Sequence, residues 1–258
     1  MWGVRRKMGD YNKIASKLLM SVRQRLALRV RQRQIARFVL EKVYRVENLA
    51  AARESADFVS TRDLIRAAGT DSLAHFGNGY SVEGGLYLQQ NPDEFAALSL
   101  FLKRHRPIKN YLEIGSASGG SCRFLYEQVG FERTISVDDG CHPRATEQAG
   151  NLSTISNVTR FTGDSHSVEA RRFLAEHLQQ PLDVAFIDGD HSYEGVWADI
   201  RLALAFSRPG TIFVFHDTVV CDGVERAWLE VIRGGLVKPA AEYIGPEKPL
   251  GIGVGMVR

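Results

Sequence analysis

Two carboxylates and an imidazole stand together in Phe186-Ile187-Asp188-Gly189-Asp190-His191-Ser192-Tyr193-Glu194-Gly195, directly after the apolar run Val184-Ala185-Phe186-Ile187. A buried strand that ends in acids puts them at its C-terminal edge, where open α/β sheets hold ligands. A second apolar run, Ile212-Phe213-Val214-Phe215, ends in His216-Asp217. Two adjacent strand ends would bring Asp188, Asp190, His191, His216 and Asp217 to one point. Core packing gives no reason for so much acid on buried strands. A hard divalent cation does, because it favours oxygen ligands.

Three earlier strand ends carry polar groups of other kinds. Tyr111-Leu112-Glu113-Ile114-Gly115-Ser116-Ala117-Ser118-Gly119-Gly120-Ser121 reads as a strand, a tight turn of small residues and a helix start. Small residues let a ligand approach the backbone, and a helix N-terminus offers N–H groups and the positive end of a dipole. The spacing is not the Gly-x-Gly-x-x-Gly of a dinucleotide site. Glu113 would repel a pyrophosphate but pair with an ammonium. Thr134-Ile135-Ser136-Val137 ends in Asp138-Asp139, where an acid can accept hydrogen bonds from ribose hydroxyls. Thr162-Gly163-Asp164-Ser165 could meet an adenine edge, or Asp164 or Ser165 could cap the next helix.

These groups need a scaffold, and the hydrophobic pattern supplies one. Strands are expected at 110–114, 133–137, 157–161, 183–187, 211–215, 241–244 and 251–257. Helices are expected at about 119–129, 143–153, 166–178, 192–206 and 222–233. Such alternation predicts an α/β fold, a doubly wound, Rossmann-like, seven-stranded sheet. The last two strands, separated only by a Gly-Pro-rich turn, form an antiparallel hairpin. Asn91-Pro92-Asp93-Glu94 starts a further helix, with Asn91 as cap, Pro92 first and the acids at the positive end.

Ahead of this lies an N-terminal basic helical arm. Residues 10–56 read as helix, either one or two broken near Val30–Gln34: Ile14, Leu18, Val22 and Leu26, then Ile35, Phe38 or Val39, Val43, Val46 and Leu49, recur at helical spacing. Arg23, Arg25, Arg29, Arg31, Arg33 and Arg37 crowd the polar side. Residues 1–50 hold 13 Lys and Arg against 3 Asp and Glu, whereas the remainder holds 20 against 27, within a net charge of +3. The stripe suits packing on the domain or on a second copy, as a homodimer. Few aromatics accompany the arginines, which argues against nucleic acid. The expected units are an arm over 1–68, a glycine-rich loop or lid over 69–92 containing Tyr80 and Tyr87, and a domain over 93–258. No apolar run approaches the ~20 residues of a membrane span, and no secretory signal opens the sequence. Cys122, Cys141 and Cys221, odd in number and widely spaced, suit a reduced, cytoplasmic setting. Cys221 reads as a packing residue that could touch the site.

Taken in order, the glycine turn, Val-Asp-Asp, Gly-Asp-Ser, Phe-Ile-Asp-Gly-Asp-His-Ser-Tyr-Glu-Gly-Val and Phe-His-Asp resemble the motifs of a class I S-adenosylmethionine-dependent methyltransferase. The last two resemble those of metal-dependent O-methyltransferases, of the caffeoyl-CoA and catechol type and of the bacterial sugar-modifying type. The resemblance covers roughly 82–258. It implies that Glu113 and the loop of Gly115, Ser116, Ala117, Gly119 and Ser121 hold the amino acid end of S-adenosylmethionine. It also implies that Asp138 or Asp139 takes the ribose and that Asp164 and Ser165 lie at the adenine. Asp188, at the cofactor edge, and Asp217 would bind Mg²⁺ or a similar ion. Where the family has a further Asp or Asn beside the second acid, this chain has His216 and Thr218. His216 would admit a transition metal. Asp190 or His191 would be the general base. The implied reaction methylates a hydroxyl of a small molecule, a sugar, phenol or natural-product intermediate. Two other readings compete: an NAD(P)-binding oxidoreductase of the same topology, and a non-catalytic scaffold acting through the basic arm.

Overall fold

In the computed structural model, residues 31–70 and 82–258 are described. Expectations on Ile14, Leu18, Val22, Arg23, Arg25, Leu26, Arg29 and Tyr80 fall outside them. The chain divides into two compact units, Met1–Arg45 and Val46–Arg258.

In the first unit residues 31–39 are α-helical and Leu40–Tyr44 forms a π-helical turn. Ile35, Phe38 and Val43 are exposed. The helix expected to continue to residue 56 ends here, because Arg45 takes a left-handed conformation, φ 54°. In the second unit Glu47–Asn48 is instead a short strand, β1. The Asn48 side chain then caps a one-turn helix, α1 (Leu49–Ala52), by accepting the Ala51 N–H at 3.0 Å. Leu49 joins the core.

The remaining elements are α2 (Phe58–Ala68), α3 (Pro92–Arg104), β2 (Ile108–Ile114), α4 (Gly120–Val129), β3 (Phe131–Asp138), α5 (Ala145–Leu152) and β4 (Val158–Thr162). They continue with α6 (Val168–His177), β5 (Val184–Ile187), α7 (Tyr193–Leu204), β6 (Ile212–His216), α8 (Asp222–Arg233), β7 (Val237–Tyr243) and β8 (Ile252–Val257). One sheet runs β1-β7-β8-β6-β5-β2-β3-β4. It has eight strands where the hydrophobic pattern gave seven; the eighth, β1, is two residues long and pairs parallel with β7. The expected hairpin is present, with β8 antiparallel to both β6 and β7.

The central strands are apolar because both faces are covered. Leu112, Val184, Ala185, Phe186, Phe213, Val214 and Phe215 are fully buried. Strands β4, β3, β2, β5 and β6 are mutually parallel, so their C-terminal ends share one edge. The chain order reverses between β2 and β5, which opens a crevice at that edge. Asn91 caps α3 as expected, accepting from the Asp93 and Glu94 amides. Glu94 does more than complement the helix end. Fully buried, it accepts the amides of Gly245, Leu250 and Gly251 at 2.6, 3.3 and 2.9 Å. It thus ties down the loop on which Thr218 rests through Gly251 O.

Candidate active site

The loop after β2 is shaped by close approach. Gly115 has φ +85°, and a Cβ there would stand 2.0 Å from the Asp188 carbonyl oxygen. The β5 end is held against it, the Asp188 amide donating to Ile114 O at 2.9 Å. Ala117, φ 44°, donates its amide to Asp138 Oδ2 at 2.7 Å. Ser116 and Ser136 hydroxyls are 2.6 Å apart, with Gln148 donating to Ser116. Gly119 adopts φ 72° at the start of α4.

A cavity of about 580 Å³ opens on this loop. It is lined by Gly115, Ser116, Ala117, Ser121, Asp138, Asp139, Asp164, Ser165, Asp188, Asp190, His191, His216 and Asp217, with Tyr87, Gln89, His142 and His166. Of the residues expected at the site, Glu113 and Gly119 do not line it. Glu113 is 1 % exposed and accepts a hydrogen bond from the Tyr111 hydroxyl. Burial pushes its carboxyl up to about 8.

Asp138 and Asp139 differ in role. Asp138 is buried and both its oxygens accept loop amides, from Ala117 and Gly140. Asp139 is exposed and accepts the Cys141 amide. Beside them Gln89 Nε2 lies 2.5 Å from His142 Nε2, and the Arg144 guanidinium stacks 4.1 Å from the Tyr87 ring centre.

After β4 the helix cap is neither Asp164 nor Ser165 but Ser167, which accepts from the Ala170 amide. Asp164 instead accepts the His166 amide at 2.8 Å. Ser165 donates to Asp199 Oδ1 at 2.7 Å, and His166 Nε2 lies 3.2 Å from the same oxygen. Asp199, on α7, is 0 % exposed and was not anticipated. Its Oδ2 lies against the β5 loop, since a Cβ on Gly189 would stand 2.8 Å from it. One carboxylate therefore links the β4 and β5 ends. Burial raises it from 3.8 to about 6. The folded chain holds this proton more tightly than the unfolded chain, so stability falls as pH rises from 3.8 through about 6. Asp199→Asn keeps the shape and an acceptor oxygen but cannot ionise. In urea denaturation across that window, the parent should lose about 3 kcal/mol relative to the variant. Parallel pH profiles would show that Asp199 is not the buried acid described here.

The acids at the β5 and β6 ends converge as their spacing suggested. His216 Nδ1 is 3.0 Å from Asp188 Oδ1 and 3.4 Å from Asp217 Oδ1. His191 Nε2 is 3.3 Å from Asp188 Oδ1 and 3.5 Å from Asp217 Oδ2. Burial opposes charge on His216, yet the Asp188 and Asp217 carboxylates outweigh it and push the imidazole up to about 10. Burial likewise works against ionised Asp188, but His216 and His191 hold it down at about 2. The hydrogen bond to Asp188 raises His191, which remains 39 % exposed. Asp190 points elsewhere. Its oxygens accept the Ser192 amide and hydroxyl at 2.8 and 3.0 Å, and Ser192 caps α7. Cys221 sits beside the cluster, its Sγ 3.5 Å from His191 Nδ1.

Residues 112–218 match a family model described as a methyltransferase domain. A stretch of 118 residues is 29% identical to the uncharacterized protein R132 of Acanthamoeba polyphaga mimivirus, covering 42% of this chain and 50% of that protein. The chain thus spans about half the length of that curated relative. Among solved structures, it is similar to an O-methyltransferase from Bacillus cereus in complex with S-adenosylhomocysteine. That match has 17% identity and a TM-score of 0.56, covering 87% of this chain and 97% of that one. It is also similar to the O-methyltransferase TomG from Streptomyces achromogenes, involved in tomaymycin synthesis and solved with S-adenosylmethionine. Here identity is 21% and the TM-score 0.53, over 65% of this chain and 80% of that one. The chain therefore shares its fold with these O-methyltransferases, and the match to the methyltransferase-domain model lies within residues 112–218. Among the described residues no helix is long and apolar enough to cross a membrane.

Proposed function

We propose that the chain transfers a methyl group from S-adenosylmethionine to a hydroxyl of a small molecule, with a divalent cation and a general base. The observation that carries this reading is one cavity in which the small-residue loop after β2 faces Asp188, His191, His216 and Asp217. The O-methyltransferase kind of the Bacillus and Streptomyces proteins supports it. The acceptor class stays at sugars, phenols and natural-product intermediates.

In this reading the sulfonium cofactor lies along the strand edge. Glu113 pairs with its ammonium, Asp138 or Asp139 takes the ribose, and Asp164 and Ser165 meet the adenine, with Asp199 fixing Ser165. The donor set fits a cation once His216, held protonated by the two acids in the metal-free chain, releases its proton to solvent. Asp188, His216 and Asp217 offer ligand atoms within 4.8 Å of one another. Asp217 Oδ1 and His216 Nε2 are buried and make no hydrogen bond among the described residues. When bound, a cation there would lower the pKa of a coordinated hydroxyl and orient it. His191 suits the base better than Asp190, because the Asp188 hydrogen bond strengthens its hold on a proton and Ser192 occupies Asp190. The exposed Ile35, Phe38 and Val43 support a homodimer formed through the N-terminal helices, and the reading places the protein in the cytoplasm.

The cofactor test follows from Glu113. With its carboxyl up at about 8, the ligand-free protein holds a proton there at neutral pH. Pairing with an ammonium requires that proton to leave and the carboxyl, enclosed beside Tyr111, to open to the cavity. S-adenosylhomocysteine should therefore bind about tenfold tighter per pH unit between roughly pH 6 and pH 7.5, levelling near pH 8. Calorimetry near pH 7 in buffers of different ionisation enthalpy should register close to one proton released. Glu113→Gln should bind more weakly and without that slope. Absence of S-adenosylhomocysteine binding at every pH would remove the methyl-transfer reading.

A further inference from the structure

The site holds a second group of donors, one of which, Cys221, the proposed reaction leaves unused. His191, Asp217 and Cys221 each offer one ligand atom, all within 4.8 Å of one another. The placement of Cys221 is fixed by the backbone: its amide donates to Asp217 O at 3.0 Å, closing the turn between β6 and α8. That turn brings Cys221 Sγ to 3.5 Å from His191 Nδ1 and 4.0 Å from Asp217 Oδ2. A second, independent feature points to a ligand. The Asp217 side chain is 8 % exposed, and its buried Oδ1 accepts no hydrogen bond among the described residues. The charge of this acid is met by His216 Nδ1 at 3.4 Å and His191 Nε2 at 3.5 Å, contacts that a bound metal ion would replace.

We infer that Cys221, His191 and Asp217 form a binding site for a thiolate-preferring divalent metal of the Zn²⁺ class. Magnesium takes oxygen donors and keeps its waters, whereas sulfur and imidazole select zinc and its neighbours. Sulfur, nitrogen and oxygen in one small cluster is a zinc-type donor set. Binding breaks the Cys221 S–H bond, sends the proton to solvent and forms a metal–sulfur bond. Asp217 belongs to both donor groups, so an ion held by Cys221 and His191 competes with one held by Asp188 and His216. It also occupies the imidazole that the proposed reaction uses as base. The inference therefore rests on the metal reading above for its consequence, inhibition by zinc-class ions, but not for the site itself.

The test is optical titration of the full-length, EDTA-treated protein with Co²⁺ under anaerobic conditions. A sulfur-to-cobalt charge-transfer band in the near ultraviolet should rise to one ion per chain. Zn²⁺ should bleach it and Mg²⁺ should not. Cys221→Ser should remove the band and weaken Co²⁺ by about tenfold or more, with S-adenosylhomocysteine binding unchanged as proof of folding. Visible cobalt bands without the charge-transfer band, or a band that survives Cys221→Ser, would overturn the sulfur ligand and leave the oxygen site intact. No cobalt spectrum at all would overturn both metal sites, while S-adenosylhomocysteine binding would still report separately on methyl transfer.

Discussion

If the proposed function holds, Asp188→Ala should lower methyl transfer from S-adenosylmethionine to catechol or glycoside acceptors by about 10³-fold or more, and leave S-adenosylhomocysteine affinity within about threefold. The size follows from how much passes through one carboxylate. Asp188 Oδ1 contacts both His191 Nε2 and His216 Nδ1, so its removal unties the proposed base and deletes a proposed metal ligand together. General-base catalysis alone is worth about 10² to 10⁴. Cofactor binding is spared because Asp188 meets the Gly115 loop through its backbone, which alanine keeps. Stability responds separately. Removing one partner of a buried pair costs about 3–5 kcal/mol. His216 relieves part of that cost by losing its proton, since Asp188 helps to push it up to about 10. Asp188→Asn, isosteric and uncharged, separates the two effects: turnover should fall about as far with a smaller loss of stability. Full turnover in a folded Asp188→Ala would end the metal-assisted mechanism.

The sequence revealed those parts whose signal is local or periodic. Uninterrupted apolar runs located β5 and β6, because strands covered on both faces need no alternation. Asn91-Pro92 marked the start of α3 through cap chemistry. The acids of β5 and β6 were legible as a group because parallel strands share a C-terminal edge. What escaped depends on tertiary context. Nothing in an arginine foretells the left-handed turn at Arg45, so the arm helix ran too far on paper and the short β1 was missed. Ser167 rather than Asp164 or Ser165 caps α6, a choice between neighbouring candidates that propensity leaves open. Asp199 and Glu94 escaped because an acid on a helix reads as solvated. A signal was present for each. Asp199 lies three residues after Val196 and four before Ala203, on the buried stripe of α7. Glu94 lies four before Leu98 and seven before Phe101 on α3. An acid on an apolar stripe must find hydrogen-bond donors, and both do, at loops bordering the site.

Gly115→Ala should have the second large effect: S-adenosylhomocysteine affinity down by about 100-fold and stability down by about 2–4 kcal/mol. Two costs are involved. The first is conformational, because φ +85° suits glycine and strains any residue with a Cβ. The second is contact, because the new Cβ would stand 2.0 Å from Asp188 O and 2.4 Å from its carbonyl carbon. Neither neighbour is a side chain that can rotate away, so the β2 and β5 ends must part. That movement displaces the loop facing the cofactor and the Asp188 backbone in one step. Gly130 provides the control. Its φ of +79° is nearly the same, but a Cβ there meets nothing within 4 Å. Gly130→Ala should therefore show a conformational cost alone, about 1–3 kcal/mol, with cofactor affinity unchanged. The difference between the two variants, read by urea denaturation and by calorimetry, isolates the close approach of β2 to β5. If the two variants behave alike, the crevice tolerates separation of its strands, and the geometry on which both the cofactor and metal readings rest is not the one the protein uses.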